Sequence, residues 1–162
     1  MSEILNEAIK NIYFLGIGGI GMSALARYFR ACGYQVAGYD RTPSPLTDRM
    51  QSEEGMSINY RDAADEIALE FRDPRTTLVV YTPAIPTDSC QKNFFLQAGF
   101  RLHKRSEVLG MISRRGKALC VAGTHGKTTV STLTAFLLKK SKIGCNAFLG
   151  GISENFGTNL LL

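Results

Sequence analysis

Short apolar runs alternate with helix-spaced apolar residues along most of this chain. Ile12–Leu15 is an apolar run that stops at Gly16 and predicts a buried strand. From Gly19 to Cys32 the apolar residues Ile20, Ala24, Leu25, Tyr28 and Phe29 recur at helical spacing, and Gly33 stands where a helix end accepts a left-handed residue. Gln35–Tyr39 predicts a second strand, ending at Asp40. Ser44-Pro45 reads as the N-cap and first residue of a helix closed by Gly55. A third strand is expected at Ser57–Tyr60 and a polar helix over Arg61–Arg72, broken by Asp73-Pro74. Thr77–Tyr81, β-branched and aromatic, is a strong strand. Thr87–Ala98 predicts a helix closed by Gly99, and Phe100–His103 a short strand. Ser106 is expected to cap a helix running to about Arg114. Lys117–Val121 predicts a new buried strand, Lys127–Lys140 a helix and Asn146–Leu149 a last strand. This β-α-β alternation implies an α/β fold whose parallel sheet is covered by helices on both faces.

The 162 residues are 44% hydrophobic and 20% charged, an ordinary globular balance that excludes a disordered chain. Sixteen glycines without a G-X-Y period exclude collagen and point to local turns. The formal charge of +5 suits phosphate-bearing small molecules. The strongest basic cluster is Arg114-Arg115 with Lys117, so no nucleic-acid partner is expected. No apolar stretch approaches the ~18 residues of a membrane span. The acidic start Met1–Glu7 lacks a signal-peptide pattern, so a cytoplasmic chain with no membrane partner is expected. Cys32, Cys90, Cys120 and Cys145 form no C-x-x-C and read as reduced structural thiols in apolar or helical contexts.

Two glycine loops carry the chemistry. Gly16-Ile17-Gly18-Gly19-Ile20-Gly21 matches G-x-G-x-x-G between a strand and a helix. Such glycines permit a tight turn and let backbone N–H groups approach a pyrophosphate at a helix N-terminus, with Asp40 at the end of the next strand placed for a ribose hydroxyl. The alternative is that they only allow close helix–sheet packing. Gly123-Thr124-His125-Gly126-Lys127-Thr128-Thr129 also follows a strand and opens a helix. Its amides would cradle the phosphates of ATP, Lys127 reach the outer phosphates and Thr128 ligate Mg²⁺. It is a shortened P-loop, since the standard spacing needs glycine where Val121 stands. His125 either contacts phosphate or substrate, or satisfies loop carbonyls. Two phosphate loops in one chain suggest that ATP activates a substrate carried on a different nucleotide. The fold expectation is thus a Rossmann-like domain followed by the start of a P-loop ATPase domain. Rival readings are an NAD(P)-binding oxidoreductase using only the first loop, and a nucleotide-sensing module using both without transfer chemistry.

At these residues the chain resembles the Mur ligases of peptidoglycan synthesis, and most nearly their alanine-adding member. The resemblance rests on Gly16–Gly21 followed by Met22-Ser23, and on Gly123–Thr129 with His at 125. Later ligases of that pathway usually carry Asn or Ser at that place, and the recycling, peptide-adding relative typically departs from the Gly16–Gly21 pattern. Thr82-Pro83-Ala84-Ile85 resembles the family's Ser-Ser-Ala-Ile loop, with Thr82 and Pro83 replacing two serines, and Lys104-Arg105-Ser106-Glu107 also matches.

The resemblance implies ATP-dependent ligation of L-alanine to the lactoyl carboxylate of UDP-N-acetylmuramate through an acyl phosphate. It places Gly16, Ile17, Gly18, Gly19, Ile20 and Gly21 on the UDP pyrophosphate and Asp40 on the nucleoside portion. Thr82, Ala84, Arg105 and Glu107 would lie along the UDP-sugar path. For Arg105 and Glu107 the plainer reading is a solvated, capped helix start. ATP would lie on Gly123, Thr124, His125, Gly126, Lys127, Thr128 and Thr129, with Lys127 and Thr128 catalytic and Mg²⁺ on Thr128.

By the same comparison, residues 1–105 would be the UDP-sugar-binding domain. Residues 106–162 would be a linker helix and the opening of the central ATP-binding domain, of a longer chain that is inactive in this part alone. Two strands and one helix cover a second sheet poorly. The segment after about Lys117 is therefore expected to dock on the first domain, exchange with a second copy or be partly mobile. Exposed Phe136, Leu137, Phe148 and Leu160–Leu162 would then favour self-association.

Overall fold

The structure, a computed structural model, describes residues 7–162. The reading of the acidic start therefore falls, up to Asn6, outside the described residues. Five strands form one all-parallel sheet: β1 (Asn11–Leu15), β2 (Gln35–Tyr39), β3 (Ser57–Asn59), β4 (Thr77–Tyr81) and β5 (Leu102–Lys104), in the order β3-β2-β1-β4-β5. β1 is central, paired with β2 from Asn11↔Gln35 to Leu15↔Tyr39 and with β4 from Asn11↔Thr77 to Leu15↔Tyr81. Alternation along β1 divides the core. Ile12 and Phe14 pack under α1 (Ile20–Ala31), α2 (Pro45–Ser52) and α4 (Arg105–Ser113), with Leu25, Phe29, Met50 and Val108 buried among them. Tyr13 and Leu15 face the other way, toward Ile67, Phe71, Phe95 and Phe100 beneath α3 (Cys90–Gln97). Burial on both faces is why the central strands β1, β2 and β4 read as mostly apolar runs rather than alternating ones.

The helix starts follow their caps. Ser44 accepts from the Thr47 amide while Thr47 Oγ1 accepts from the Ser44 amide, a closed capping box before Pro45. α3 starts at Cys90 rather than Thr87, because Ser89 Oγ takes the Lys92 amide. α4 starts at Arg105: Glu107, not Ser106, caps it by accepting the Lys104 amide at 3.0 Å. Ile20, expected on the apolar face of α1, is exposed at the helix start.

The expected polar helix over Arg61–Arg72 is replaced by two 3-10 turns, Ala64–Glu66 and Leu69–Phe71. Arg72 donates to the carbonyls of Ile67 and Ala64, taking acceptors that a continuous helix needs, while Ile67 and Phe71 are drawn into the core.

The predicted strand at Lys117–Val121 is absent. Leu119 is 70% exposed and, among the described residues, no strand takes up the backbone hydrogen bonds of this segment. α5 spans Lys127–Lys140 as expected. The last expected strand is longer, β6 (Ala147–Ser153), and pairs antiparallel with an unexpected β7 (Thr158–Leu161). Gly157, at φ +63°, makes the turn between them, with its amide on the Ser153 carbonyl at 2.7 Å. This hairpin docks on α1, so Leu160 and Leu161 are buried and Phe148 is half-buried against Tyr28, with ring centroids 5.3 Å apart; the expectation that they are exposed fails. Phe136, Leu137 and Leu162 are exposed.

Gly38, inside β2, has no room for a side chain: a Cβ there would lie 2.5 Å from the Phe14 carbonyl and 3.0 Å from Ile17. Gly38→Ala is expected to cost about 1–3 kcal/mol by forcing β1 and β2 apart. A urea-denaturation midpoint unchanged from wild type would show that the strands yield freely.

Candidate functional site

A cavity of about 730 Å³ opens at the carboxyl edge of the sheet, where open α/β folds bind ligands. Its wall includes Gly16, Gly18, Gly19, Ile20 and Gly21, the Thr82, Ala84 and Ile85 loop, Asp40, and Arg105. Gly16 has φ +89°, and a Cβ there would meet Thr82 Cγ2 at 2.6 Å, so the two loops pack directly against each other. A Cβ on Gly21 would meet the Arg105 guanidinium at 3.0 Å, which shows how closely that cation lies over the first turn of α1.

An account of the loop's amides identifies its open end. Gly16 and Ile17 both donate to the Tyr39 carbonyl, at 2.7 and 3.0 Å. Gly18 donates to Asp40 Oδ2 at 2.7 Å, and Gly19 weakly to Gly16 O at 3.4 Å. Among the described residues the amides of Ile20 and Gly21 remain without a partner, in a first turn that has no intrahelical acceptors for them. α1 carries no side-chain cap and no acidic residue in that turn, which leaves its positive end open to an anion. The α3 start on the same wall is closed instead. Asp62 accepts from Ser89 Oγ and from the Cys90 and Gln91 amides at 2.9–3.1 Å.

The expected residues therefore separate. Gly16, Gly18, Gly19, Ile20, Gly21, Asp40, Thr82, Ala84 and Arg105 are together on the cavity wall. Ile17 is fully buried beneath the loop, and Glu107 is occupied in capping α4. The Asp40 carboxylate bonds to the amides of Gly18 and Thr42, so it ties the loop to the end of β2. Sequence reasoning missed Arg41, Thr42, Ser44, Asp62, Asp88 and Ser89 on the same wall. The available signal was their position just after the carboxyl ends of strands and at helix starts.

At the second loop, Gly126 is left-handed, at φ +75°, and opens α5. Lys127 Nζ bends back to donate to the Gly123 and Thr124 carbonyls at 2.6 and 3.0 Å, which draws the loop into a ring. His125 is exposed and, among the described residues, makes no hydrogen bond to those carbonyls. Thr128 packs on the β6 bulge: a Cβ on Gly150 would lie 3.0 Å from its hydroxyl. Thr124 and Thr129 are exposed. An ammonium and hydroxyls at a helix start are donors of the kind a phosphate chain takes, and a hydroxyl such as that of Thr128 is an oxygen ligand of the kind Mg²⁺ takes. Among the described residues no three His, Cys, Asp or Glu side chains cluster to hold a metal. Among the described residues the cysteines are free; Cys90, though exposed, lies in α3 as a helical context requires, whereas Cys120 is exposed and lies in no helix or strand.

His103 is the middle residue of β5, two residues before Arg105. Its Nδ1 is buried and, among the described residues, has no hydrogen-bond partner; it lies 3.8 Å from Glu107 Oε2. Burial, and then Arg101, hold its pKa below the usual 6.5, against the opposing pull of Glu107. The folded state therefore binds its proton less readily than the unfolded state. The resulting stability is present above 6.5 and is lost as pH falls from there through the folded value. Between pH 7.5 and 5.5 the wild-type urea midpoint should fall further than that of His103→Gln. Equal falls would remove His103 as the cause.

Among the described residues no helix is long and apolar enough to cross a membrane. A family model described as "Mur ligase family, catalytic domain" matches residues 11–117. A UDP-N-acetylmuramate–L-alanine ligase of Phocaeicola vulgatus is 61% identical over 156 residues, 96% of this chain and 34% of its own length. The crystal structure of a UDP-N-acetylmuramate–alanine ligase from Thermotoga maritima superposes with a TM-score of 0.82 at 31% identity, over 93% of this chain and 34% of that one. The structure of a UDP-N-acetylmuramate:L-alanyl-γ-D-glutamyl-meso-diaminopimelate ligase from Neisseria meningitides gives 0.84 at 26% identity, over 94% and 46%. The chain spans about a third of the length of the curated relatives it matches. With most of its sheet domain inside the family match and the same fold in these ligases, the chain belongs to the Mur ligase family.

Proposed function

We propose that this chain is the UDP-sugar-binding part of an ATP-dependent UDP-N-acetylmuramate–L-alanine ligase, acting in peptidoglycan precursor synthesis in the cytoplasm. The carrying observation is the uncapped start of α1, which faces the cavity beneath Arg105 and beside the Thr82–Ile85 loop. The pyrophosphate of UDP-N-acetylmuramate would take the Ile20 and Gly21 amides, with Arg105 as its counter-cation and Thr82 and Ala84 along the sugar path. Residues 1–105 would form this unit and 106–162 a linker helix with the opening of an ATP-binding unit. There Gly123–Thr129 would hold ATP, with Lys127 on its outer phosphates and Thr128 on Mg²⁺. ATP would supply the phosphoryl group that activates the lactoyl carboxylate for attack by L-alanine.

Identity favours this reading over the peptide-adding relative: it is 61% to a curated alanine ligase, and among solved structures 31% to an alanine ligase against 26% and 29% to two peptide ligases. The exposed Leu133 and Leu137 of α5 support self-association of the chain at high concentration.

UDP-N-acetylmuramate should raise the chain's thermal unfolding temperature and NAD should not; protection by NAD alone would assign the cavity to a dinucleotide. Given ATP, Mg²⁺, UDP-N-acetylmuramate and L-alanine, this third of a ligase should release no phosphate. Release that needs both substrates and scales with chain concentration would overturn that expectation.

A further inference from the structure

The hairpin that carries the second loop's neighbour, Gly150, also reaches the first. Asn159 of β7 is fully buried and directs its whole amide group at α1. Its Nδ2 donates to the Ile20 carbonyl at 2.7 Å and to Ser23 Oγ at 2.9 Å. Its Oδ1 accepts from Arg27 at 3.0 Å. Arg27 donates further to Thr158 Oγ1 at 2.6 Å, and its Nε is paired with Glu54 at 2.6 Å. Apolar docking through Phe148 on Tyr28 and Leu160 in the core already holds the hairpin, and it tolerates small rotations of α1. A buried amide does not: shifting the turn leaves its N–H groups unpaired in a place without water. The residue so gripped is Ile20, at the open start of α1.

We propose that Asn159 is a positioning residue for the glycine-loop cavity. It fixes the first turn of α1, so that docking of the β6–β7 hairpin and binding of a nucleoside diphosphate reinforce each other. This rests on the reading of that cavity as a UDP-sugar site. The coupling is reciprocal by necessity: if the docked hairpin tightens binding, the ligand must tighten the docked hairpin.

The test combines hydrogen exchange with calorimetry on the 162-residue chain, with UDP as the probe. Without ligand, Asn159→Ala should speed exchange of the Met22, Ser23 and Ala24 amides about tenfold relative to wild type. UDP should slow exchange across Thr158–Leu161 in wild type and not in Asn159→Ala, whose Kd for UDP should rise about tenfold. Ser23→Ala removes one acceptor from the α1 side with little change of volume. It should show the same pattern at smaller size, which decides the matter if Asn159→Ala does not fold. Unchanged exchange in the first turn, or UDP bound by wild type with no protection of the hairpin, overturns the proposal. Wild type that binds no UDP refutes the cavity reading instead, while the ligand-free comparison still shows whether Asn159 holds the turn.

Discussion

Gly18→Val should abolish most binding of UDP-N-acetylmuramate, raising Kd on the order of a hundredfold. A single Cβ at Gly18 would stand 2.8 Å from Asp40 Oδ2 and 3.0 Å from Thr47 Cγ2. Neither neighbour yields easily. The Asp40 carboxylate is held by the amides of Gly18 and Thr42, and Thr47 is buried within the capping box of α2. Valine adds two further methyl groups, which push Asp40 off the loop and into the cavity. Overpacking of this kind costs about 1–3 kcal/mol; to the extent that the free loop relieves it in a shape that cannot bind, binding must restore it, at about tenfold in Kd for each 1.4 kcal/mol. The displaced carboxylate adds repulsion against a diphosphate. Calorimetry with UDP-N-acetylmuramate is the measurement, with circular dichroism to confirm that the sheet survives. Unchanged affinity in a folded variant would take the pyrophosphate away from this loop.

The same residues show what was legible in the sequence. The glycine loop was readable because a strand, a turn and a helix start each leave a local mark, and so were the Ser44 cap and α5. Asp40 was found by its place after a strand, but its partner was not. Hydrogen bonding to Gly18 depends on how β1 and β2 pair, a contact between residues 22 apart. Glu107 matched a motif, yet its carboxylate is spent on the Lys104 amide, the plainer role for such a residue at a helix start. The failures are tertiary. Residues 61–72 have helical composition, but the Arg72 guanidinium and the pull of Ile67 and Phe71 into the core decide their backbone. β7 was invisible because Thr158–Leu161 shows no alternation of its own, and Leu160 and Leu161 were expected to be exposed. Its identity as a strand depends on the Gly157 turn and on α1, more than a hundred residues earlier.

In an intact ligase carrying this sequence, Lys127→Ala should lower kcat by about 10²–10³ while the Kd for UDP-N-acetylmuramate stays within about twofold. The separation follows from geometry. Lys127 opens α5, and its ammonium is bound to carbonyls of its own loop, Gly123 and Thr124. No residue of that loop lines the cavity at the start of α1. Those two carbonyls hold the ammonium over the loop before any ligand arrives, so little reorganisation is needed when charge builds on a transferring phosphoryl group. That preorganisation is what makes a positioned cation effective. Removal of the ammonium also frees the loop from its internal tie, so a loss of turnover alone would not separate charge from shape. Lys127→Arg keeps a cation and donors to the same carbonyls, and should recover part of kcat. Lys127→Met keeps the bulk without the charge, and should be as slow as alanine. Near-wild-type turnover in the alanine or methionine variant would remove Lys127 from the chemistry and leave it only the role of closing the loop.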